Sequence, residues 1–235
     1  NVAELVNGGK TDINITLEKN IDLTGKDWTP IGTDYDNSYK GTFDGGGHTI
    51  TGLTFTTNDE YAGLFGWLNR AGTVKNVVME GVQITSNQIY GGSIGGVVGY
   101  SWGTIENCSV SGSVSGTVYV GGVVGVQIGG SITGCSSSAT VKGTVDVGGV
   151  AGEKWGSMTA CYATGNVTLE IDSPKNLSGG GLVGFNGGSS VLACYATGNV
   201  TSTGSSTGNV HIGGFLGDNY TTVTACYWKN NHEQG

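Results

Sequence analysis

The most regular feature of this chain is a pair of apolar residues enclosed by two glycines, and it occurs six times. The six segments begin at Gly63, Gly96, Gly122, Gly149, Gly181 and Gly214, and they end at Gly66, Gly99, Gly125, Gly152, Gly184 and Gly217. The steps between the first glycines are 33, 26, 27, 32 and 33 residues (96−63, 122−96, 149−122, 181−149, 214−181). A repeat of this length predicts a stacked array in which each unit buries its apolar side against its neighbours.

A second apolar pattern follows each glycine segment, with two inward positions three residues apart. The first predicted column contains Ile50, Val74, Ile105, Ile132, Met158, Val191 and Val223. The second contains Leu53, Val77 and the cysteines Cys108, Cys135, Cys161, Cys194 and Cys226. Residues three apart face opposite sides of a straight strand. The pattern therefore predicts a bend between the two columns, near Asn76, Asn107 or Gly134.

After this bend, apolar and polar residues alternate at the spacing of a β-strand. Helical repeats of similar length need Ala, Leu, Glu and Lys at helical spacing, whereas this repeat consists of Gly, Val, Thr and Ser. Glycine also costs up to ~1 kcal/mol at each helical position. The sequence therefore predicts an all-β fold, a single-stranded right-handed parallel β-helix (solenoid) of about seven three-strand coils.

The chain is expected to form one continuous domain with a capped beginning. Residues 1–60 are predicted to make the N-terminal cap and the first coil or coils, and residues 61–235 the repeat β-helix. Residues 2–8 read as a short helix with a glycine stop, which would cover the first strand edges. Because the chain begins at Asn1 without Met, we expect a mature or trimmed chain whose cellular address is not written in it.

Composition and charge argue against nucleic acid as a partner and against a membrane span in this chain. The net charge is −8, with 46 glycines and only 12% charged residues. This charge repels phosphate backbones and anionic membranes, so we expect no nucleic-acid partner. The apolar runs are far shorter than the ~20 residues that span a bilayer, so no membrane span is predicted.

The five cysteines are spaced at the repeat period, are odd in number and include no CxxC pair. They are therefore predicted to be a column of buried free thiols, not a disulfide framework or a zinc site. Together with glycines such as Gly63, Gly66, Gly181 and Gly184, they are assigned a structural role.

The candidate catalytic and metal-binding residues lack the grouping that chemistry would need. The densest carboxylates are Asp34, Asp36, Asp44, Asp59 and Glu60, and they are expected to be turn formers. His232-Glu233 opens like HExxH, but the second histidine of that motif does not follow. The other histidines, His48 and His211, fall at different phases of the repeat. The sequence predicts no catalytic residue, no metal site and no cofactor.

Aromatic residues are the best candidates for binding. Tyr162, Tyr195 and Tyr227 each follow a cysteine, so they are predicted to point outward and stack. Such a column can bind sugar rings or proteins, or it can simply stabilise the array. A second cluster is predicted at a bend after the glycine segments, and it contains Trp67, Tyr100, Trp102, Trp155, Phe185 and Tyr220. Of these, Tyr100, Trp102 and Trp155 are the leading binding candidates.

Four insertions lengthen certain coils, at residues 56–61, 86–93, 169–178 and 202–211. They are predicted to lie at one corner of the array. Loops grouped on one edge are where repeat proteins usually bind.

These residues resemble the GLUG-motif repeats of bacterial cell-surface proteins, whose core is Gly-Leu-any-Gly. Gly63-Leu64-Phe65-Gly66 and Gly181-Leu182-Val183-Gly184 match that core literally, and the other four segments replace Leu by Val or Phe. The tail at residues 193–200 is also typical. Such repeats occur in secreted or anchored proteins of gut and mucosal bacteria, including IgA1-specific metallopeptidases and adhesins. The resemblance implies that the catalytic machinery of those peptidases lies in a separate domain with a HExxH helix.

The sequence and the resemblance together predict a non-catalytic extracellular module for adhesion or domain display at a bacterial surface. Its expected partner is a host glycan or protein, or neighbouring domains of the same polypeptide. The alternatives are an accessory, substrate-binding part of an IgA1-protease-like peptidase and a polysaccharide-active β-helix enzyme. An ice-binding solenoid is a further rival, but Lys142, Asn166 and Asn199 interrupt the flat Thr array that it would need.

Overall fold

The computed structural model describes residues 2–171 and 176–229, which form a parallel β-solenoid of about seven turns. This architecture is the one that the repeat predicts. The helix α1 (Val2–Asn7) lies at the beginning, and its Ala3 and Val6 are buried. Asn7 ties the helix to the first turn, because its side-chain oxygen accepts a hydrogen bond from the Gly32 amide (2.8 Å) and its side-chain amide donates to the Pro30 carbonyl (3.0 Å).

Six complete turns lie between two partial ones. The first partial turn contains β1 (Ile15–Thr16) and β2 (Ile21–Asp22). The first complete turn contains β3 (Thr42–Asp44), β4 (Thr49–Thr51), β5 (Thr54–Thr57), β6 (Tyr61–Ala62) and β7 (Phe65–Leu68), and the second contains β8 (Thr73–Lys75), β9 (Val78–Ser86), β10 (Ser93–Gly95) and β11 (Val98–Ser101). The third contains β12 (Thr104–Glu106), β13 (Ser109–Ser115), β14 (Tyr119–Gly121) and β15 (Val124–Gln127), and the fourth contains β16 (Ser131–Thr133), β17 (Ser136–Ser137), β18 (Thr140–Gly143), β19 (Asp146–Gly148) and β20 (Ala151–Lys154). The fifth contains β21 (Ser157–Thr159), β22 (Tyr162–Ala163), β23 (Val167–Ile171), β24 (Leu177–Gly180) and β25 (Val183–Asn186), and the sixth contains β26 (Val191–Leu192), β27 (Tyr195–Ala196), β28 (Val200–Gly204), β29 (Val210–Gly213) and β30 (Leu216–Asn219). The last partial turn contains β31 (Val223–Thr224) and β32 (Tyr227–Trp228).

Stacking of the turns builds four parallel sheets along the solenoid. The first sheet contains β1, β3, β8, β12, β16, β21, β26 and β31. The second contains β2, β4, β9, β13, β17, β22, β27 and β32, and β5, β18, β23 and β28 continue it. The third contains β6, β10, β14, β19, β24 and β29, and the fourth contains β7, β11, β15, β20, β25 and β30. Each complete turn passes through the four sheets in this order. Four sheets form instead of three because the glycine segment divides the predicted third strand into two short ones.

The bend predicted between the two apolar columns lies between the first and second sheets. Its corner residue has a positive φ in six successive turns, at Asn76 (54°), Asn107 (51°), Gly134 (63°), Ala160 (54°), Ala193 (54°) and Ala225 (52°). This conformation crowds the Cβ of an L-residue, so alanine rarely adopts it. The two asparagines also stack, since the Asn107 side-chain amide donates to the Asn76 side-chain oxygen (3.4 Å).

The predicted place of Ile50 in the first apolar column is wrong. Ile50 pairs with Met79 in the second sheet, after the corner. The residue that pairs with Val74 in the first sheet is Phe43.

The predicted place of Leu53 is wrong for the same reason. The register of β5 on β9 places Leu53 beside Val82 rather than beside Val77. Gly52 (φ 72°) and Gly81 (φ 65°) form the next bend of the turn, so the same residue types recur there. Both bends are formed by an apolar residue, a polar residue and a residue with positive φ in succession. The sequence pattern of one bend is therefore the same as that of the other.

The glycines of the repeated segments lie where the backbones of adjacent turns nearly touch. A Cβ would lie 2.6 Å from a carbonyl oxygen of the next turn at Gly63, and 2.2 Å at Gly181. The second glycines face the preceding turn, and a Cβ would lie 2.4 Å from a backbone atom at both Gly66 and Gly184. Real Cβ atoms do not approach backbone so closely, so glycine is required for the strands to pack.

The interior is one continuous cluster of apolar side chains from Ala3 to Phe215, and the cysteine column is part of it. All five cysteines are free; Cys108, Cys135, Cys161 and Cys194 are buried, and Cys226 in the last described turn is half-buried. The cysteine side chains stack from turn to turn. For example, the Cys161 amide donates a hydrogen bond to the Sγ of Cys194 in the next turn (3.3 Å). The hydrogen bond with Cys135, together with burial, raises the pKa of Cys161 to about 12. These thiols are therefore poor nucleophiles.

Candidate binding surfaces

The three tyrosines predicted to point outward form a stacked ladder on the second sheet. The ring centroids of Tyr162 and Tyr195 are 4.8 Å apart with planes 3° from parallel, and those of Tyr195 and Tyr227 are 5.3 Å apart at 16°. Register explains this, because each tyrosine pairs directly with the one in the next turn. The faces of Tyr195 are therefore covered by its neighbours, whereas Tyr162 and Tyr227 are 37% and 57% exposed and leave one face open at each end.

The predicted bend cluster divides into two groups. In the first group, Trp67 and Tyr100 lie in register on the fourth sheet, with ring centroids 4.4 Å apart. Tyr61 of the third sheet contacts both rings, at 4.7 and 5.4 Å. These rings cover one another and are half-buried.

The second group contains Trp155, Phe185 and Tyr220. Their ring centroids are 5.9 Å apart for Trp155 and Phe185, and 5.4 Å for Phe185 and Tyr220. Trp155 is 41% exposed and Tyr220 is 68% exposed, so this group offers open aromatic surface. Trp102 lies beside Tyr100 of the first group, and the Arg70 guanidinium lies 6.0 Å from the Trp102 ring centroid.

A recessed strip runs along the junction of the third and fourth sheets and includes rings of both groups. Along the third sheet, Tyr61, Ser93, Tyr119, Asp146, Ser178 and His211 lie in register. Along the fourth, Trp67, Tyr100, Val126, Glu153, Phe185 and Asp218 do so. Ser93, Asp146 and Ser178 alternate with core residues and so point away from the core, yet they are only 2%, 8% and 2% exposed. We call the middle of this strip, formed by Tyr100, Tyr119, Asp146 and Glu153, the carboxylate trough.

The carboxylates of the trough are strongly perturbed. Burial, and next the charge of Glu153, raise the pKa of Asp146 to about 7. Burial also raises the pKa of Glu153, although a hydrogen bond from the Trp155 indole nitrogen opposes this. Neither carboxylate belongs to any of the salt bridges formed by the described residues. The trough therefore holds two carboxyl groups whose ionised forms are disfavoured, and neither has a basic partner in those salt bridges.

A hydrogen-bonded network continues the strip beyond the trough. Asp218 accepts a hydrogen bond from the Ser178 hydroxyl (3.1 Å), and its other oxygen lies 2.5 Å from His211 Nδ1. The Ser178 hydroxyl also lies near Asp146, and it opposes the rise in the pKa of that residue. Sequence reasoning noted His211 only as an isolated histidine and missed the other residues, because they are far apart in the chain and occur once each. An alignment of the residue three positions before each glycine segment with the residue directly after that segment could have found them.

Sequence reasoning also missed a buried lysine inside the solenoid. Lys154 is fully buried, and its ammonium donates to the carbonyl oxygens of Gly156 (2.8 Å) and Ser189. It lies in register between Gln127 and Asn186, which are also fully buried. Burial lowers the pKa of Lys154 to about 8. Since its described contacts are backbone oxygens that close a bend, this ladder is structural.

The carboxylates singled out in the sequence are not brought together. Asp34 accepts hydrogen bonds from Asn37, Asp44 from Asn76 and Gly46, and Asp59 from Thr57. The contacts of Asp34 and Asp59 are local turn contacts, whereas Asp44 also bonds to Asn76 and Lys75 of the next turn of the solenoid. Within residues 2–171 and 176–229, no group of three or more His, Cys, Asp or Glu side chains could hold a metal ion. His232 and Glu233 lie outside the described residues.

The four insertions all fall at the corner between the second and third sheets. They connect β5 to β6, β9 to β10, β23 to β24 and β28 to β29. Residues 172–175 of the third insertion lie outside the described residues. The β5–β6 connection at residues 58–60 has three residues, as does the connection at 116–118, and the connection at 144–145 has two. The carboxylate trough lies beside the connections at 116–118 and 144–145.

The geometry defines a class: a glycine-rich repeat β-solenoid whose outward surfaces carry aromatic and acidic groups. The profile of the GLUG motif matches residues 90–115, 116–142 and 176–201, so the chain carries GLUG-motif repeats, as its sequence predicts. No helix in the described residues is both long enough and apolar enough to cross a bilayer.

Known proteins share both the sequence pattern and the fold. The chain is 38% identical over 120 residues to halomucin of Haloquadratum walsbyi, covering 47% of this chain and 1% of halomucin. It is 37% identical over 103 residues to the “Putative Gly-rich membrane protein” of Evansella cellulosilytica, covering 40% of this chain and 12% of that protein. The aligned parts are thus small fractions of both relatives.

A solved structure matches nearly the whole chain. It is the 1.30 Å crystal structure of a “putative immunoglobulin A1 protease” from Bacteroides ovatus. The TM-score is 0.78 at 25% identity, and the match covers 97% of this chain and 72% of the other.

Proposed function

We propose that this chain is a non-catalytic extracellular module that attaches to host glycans or proteins at a bacterial surface, or displays neighbouring domains of its own polypeptide. The observation that carries the proposal is the tyrosine ladder, Tyr162, Tyr195 and Tyr227, held outward on a rigid stack of turns. The open faces of Tyr162 and Tyr227, which the stack fixes in place, can contact the apolar face of a sugar ring without losing side-chain freedom.

Two further observations support this proposal. The sequence relatives are named as a mucin and a membrane protein, which fits a surface location. The perturbed carboxylates lie in a strip built from single, non-repeated residues, so the regular scaffold also carries a surface that differs from turn to turn.

A glycan and mucin array tests the proposal. We expect weak, multivalent retention of the wild-type chain, with single-site affinity in the millimolar to micromolar range, about −4 to −8 kcal/mol. The double variant Tyr195→Ala/Tyr227→Ala should lose it while remaining folded. Thr168→Ala/Thr201→Ala is the matched control, because these residues also pair in register on the outward side of the second sheet. Equal retention of both double variants would remove the ladder as the binding face.

A second candidate function follows from the structural match. A chain that shares its fold with a “putative immunoglobulin A1 protease” can serve as the accessory, substrate-binding part of such a peptidase. In that case the isolated chain should retain immunoglobulin A1 on a sensor surface without cleaving it. Absence of retention at micromolar concentration would contradict this candidate and leave the glycan arm of the proposal in place.

A further inference from the structure

The carboxylate trough indicates the chemistry of a binding partner, which the tyrosine ladder does not. It lies between two aromatic groups, and its phenols are close enough to the carboxylates to be affected by them. Burial and the charges of Glu153 and Asp146 raise the pKa of Tyr119, and burial and Glu153 also raise that of Tyr100. The four side chains lie on three successive turns at the junction of the third and fourth sheets, with Tyr119 in register with Asp146.

A longer loop flanks the trough. Residues 144–145 form a short connection that leads directly into β19 at Asp146. Residues 87–92 form a longer loop before β10, and β10 lies on the β14 side of β19 in the third sheet. That loop joins the wall of the trough, because the Tyr119 amide donates to the Gly92 carbonyl (3.0 Å). Its Ile89 and Tyr90 are 58% and 76% exposed, so an apolar shoulder stands beside the acidic centre.

The unusual feature of the trough is a nearly buried carboxylate without a countercharge. Asp146 is 8% exposed, its nearest charged influences are the carboxylates Glu153 and Asp218, and no described salt bridge includes it. Proteins rarely keep such a group unless it is paired. A cation entering between Asp146 and Glu153 would remove their repulsion and would also face the Tyr100 and Tyr119 rings.

We infer that the carboxylate trough docks a basic side chain, an Arg guanidinium or a Lys ammonium, of a protein partner. A protein is favoured over a neutral glycan because the trough offers uncompensated negative charge and the adjoining Ile89 and Tyr90 offer apolar contact. A guanidinium fits best, since its planar donors can bridge two carboxylates while its face lies on an aromatic ring. This inference rests on the proposed attachment function and names the chemistry of one partner.

The pH dependence of docking follows from the groups that face the trough. They are Glu60, Tyr61, Tyr100, Tyr119, Asp146, Glu153 and Asp218, with His211 paired to Asp218. Asp146 gains its charge as the pH rises through about 7. Affinity for a cationic partner should therefore increase several-fold between about pH 6 and pH 8.

The test is fluorescence-anisotropy titration with a labelled oligo-arginine peptide at physiological salt, where diffuse attraction is screened. We expect Asp146→Asn/Glu153→Gln to weaken binding by about tenfold or more. The matched control is Glu18→Gln/Glu80→Gln, which changes the net charge equally at two exposed positions. Equal weakening by the two double variants would show that attraction is diffuse and would overturn the site.

A second measurement does not depend on a variant. The wild-type chain should bind the peptide more tightly at pH 8 than at pH 6, and pH-independent binding would overturn the inference. Displacement of the peptide by a neutral oligosaccharide would equally contradict it, since the trough would then be a glycan site. Both measurements leave Tyr162, Tyr195 and Tyr227 unchanged, so their failure is separate from a failure of the glycan-array test.

Discussion

At the residue scale, the corner between the first and second sheets shows how stacking overrides local preference. Ala160, Ala193 and Ala225 adopt positive φ, although this conformation costs an L-residue roughly 1–2 kcal/mol. Gly134 fills the same corner without that cost. The alanines persist there because the pairing of neighbouring turns fixes the corner.

This cost can be measured at Ala193. We expect Ala193→Gly to be neutral or to raise the free energy of unfolding by up to about 1 kcal/mol, because glycine accepts positive φ but loses more backbone entropy. Ala193→Val should destabilise the chain, since a β-branched residue is strained there. Denaturant unfolding of the three proteins checks the order, and a valine variant as stable as the glycine variant would contradict it.

A second residue-scale prediction concerns the pH dependence of stability. The folded pKa of Asp146, about 7, lies above its ordinary value of 3.8. Its contribution to stability is therefore fully present below about pH 4 and is lost as the pH rises through about 7. Relative to wild type, Asp146→Asn should be more stable at pH 8 by a few kcal/mol, at about 1.4 kcal/mol for each unit of pKa difference.

Thermal unfolding from pH 5 to pH 8 checks this prediction. The advantage of Asp146→Asn over wild type should shrink as the pH falls, because the wild-type carboxyl becomes neutral. Parallel stability profiles for the two proteins would show that Asp146 is not sheltered.

The cysteine column gives a third residue-scale prediction. Four thiols are buried and Cys226 is half-buried, so alkylation of the native chain should label Cys226 first and the others slowly. Mass spectrometry should find at most one rapid label in the native chain and five after denaturation. Rapid labelling of Cys161 or Cys194 in the native chain would place the column on the wrong side of the sheet.

At the element scale, the glycine segments determine how closely the third and fourth sheets approach. Gly179 and Gly184 lie in neighbouring strands, β24 and β25, and make a matched pair. A Cβ at Gly184 would lie 2.4 Å from the Val147 amide nitrogen, whereas one at Gly179 would make ordinary contact with Leu169 at 3.4 Å. Gly184→Ala should therefore cost several times more stability than Gly179→Ala, by about 2 kcal/mol or more. Similar melting temperatures for the two variants would contradict the close approach of the sheets.

The elements also show how far the sequence predicts this structure. The glycine period and the column from Val74 to Val223 are regular, so the strands, the solenoid and the outward tyrosines follow from spacing alone. The register of the first turns does not, because Ile50 and Leu53 imitate the pattern of a different corner. The carboxylate trough is also hidden in the sequence, since Asp146 and Glu153 become neighbours only when the third and fourth sheets fold together.

At the scale of the whole molecule, the solenoid is a short rod with a continuous core. About seven turns at ~4.8 Å give a length of roughly 35 Å. The repeated residues form a rigid scaffold, and the side chains that differ between turns form the candidate binding surfaces. The tyrosine ladder lies on the second sheet and the carboxylate trough lies at the junction of the third and fourth, so the two surfaces are independent and can be tested separately.

The central claim is that this chain attaches and does not catalyse. It is tested most directly by incubating the purified chain with mucin-type polysaccharide and with immunoglobulin A1, and by following the mass of each over time. The account predicts that both remain intact while the chain is retained on at least one of them, with retention reduced in Tyr195→Ala/Tyr227→Ala. Cleavage products that accumulate with time and enzyme concentration, and that disappear in Asp146→Asn/Glu153→Gln, would contradict it and identify the trough as an active site.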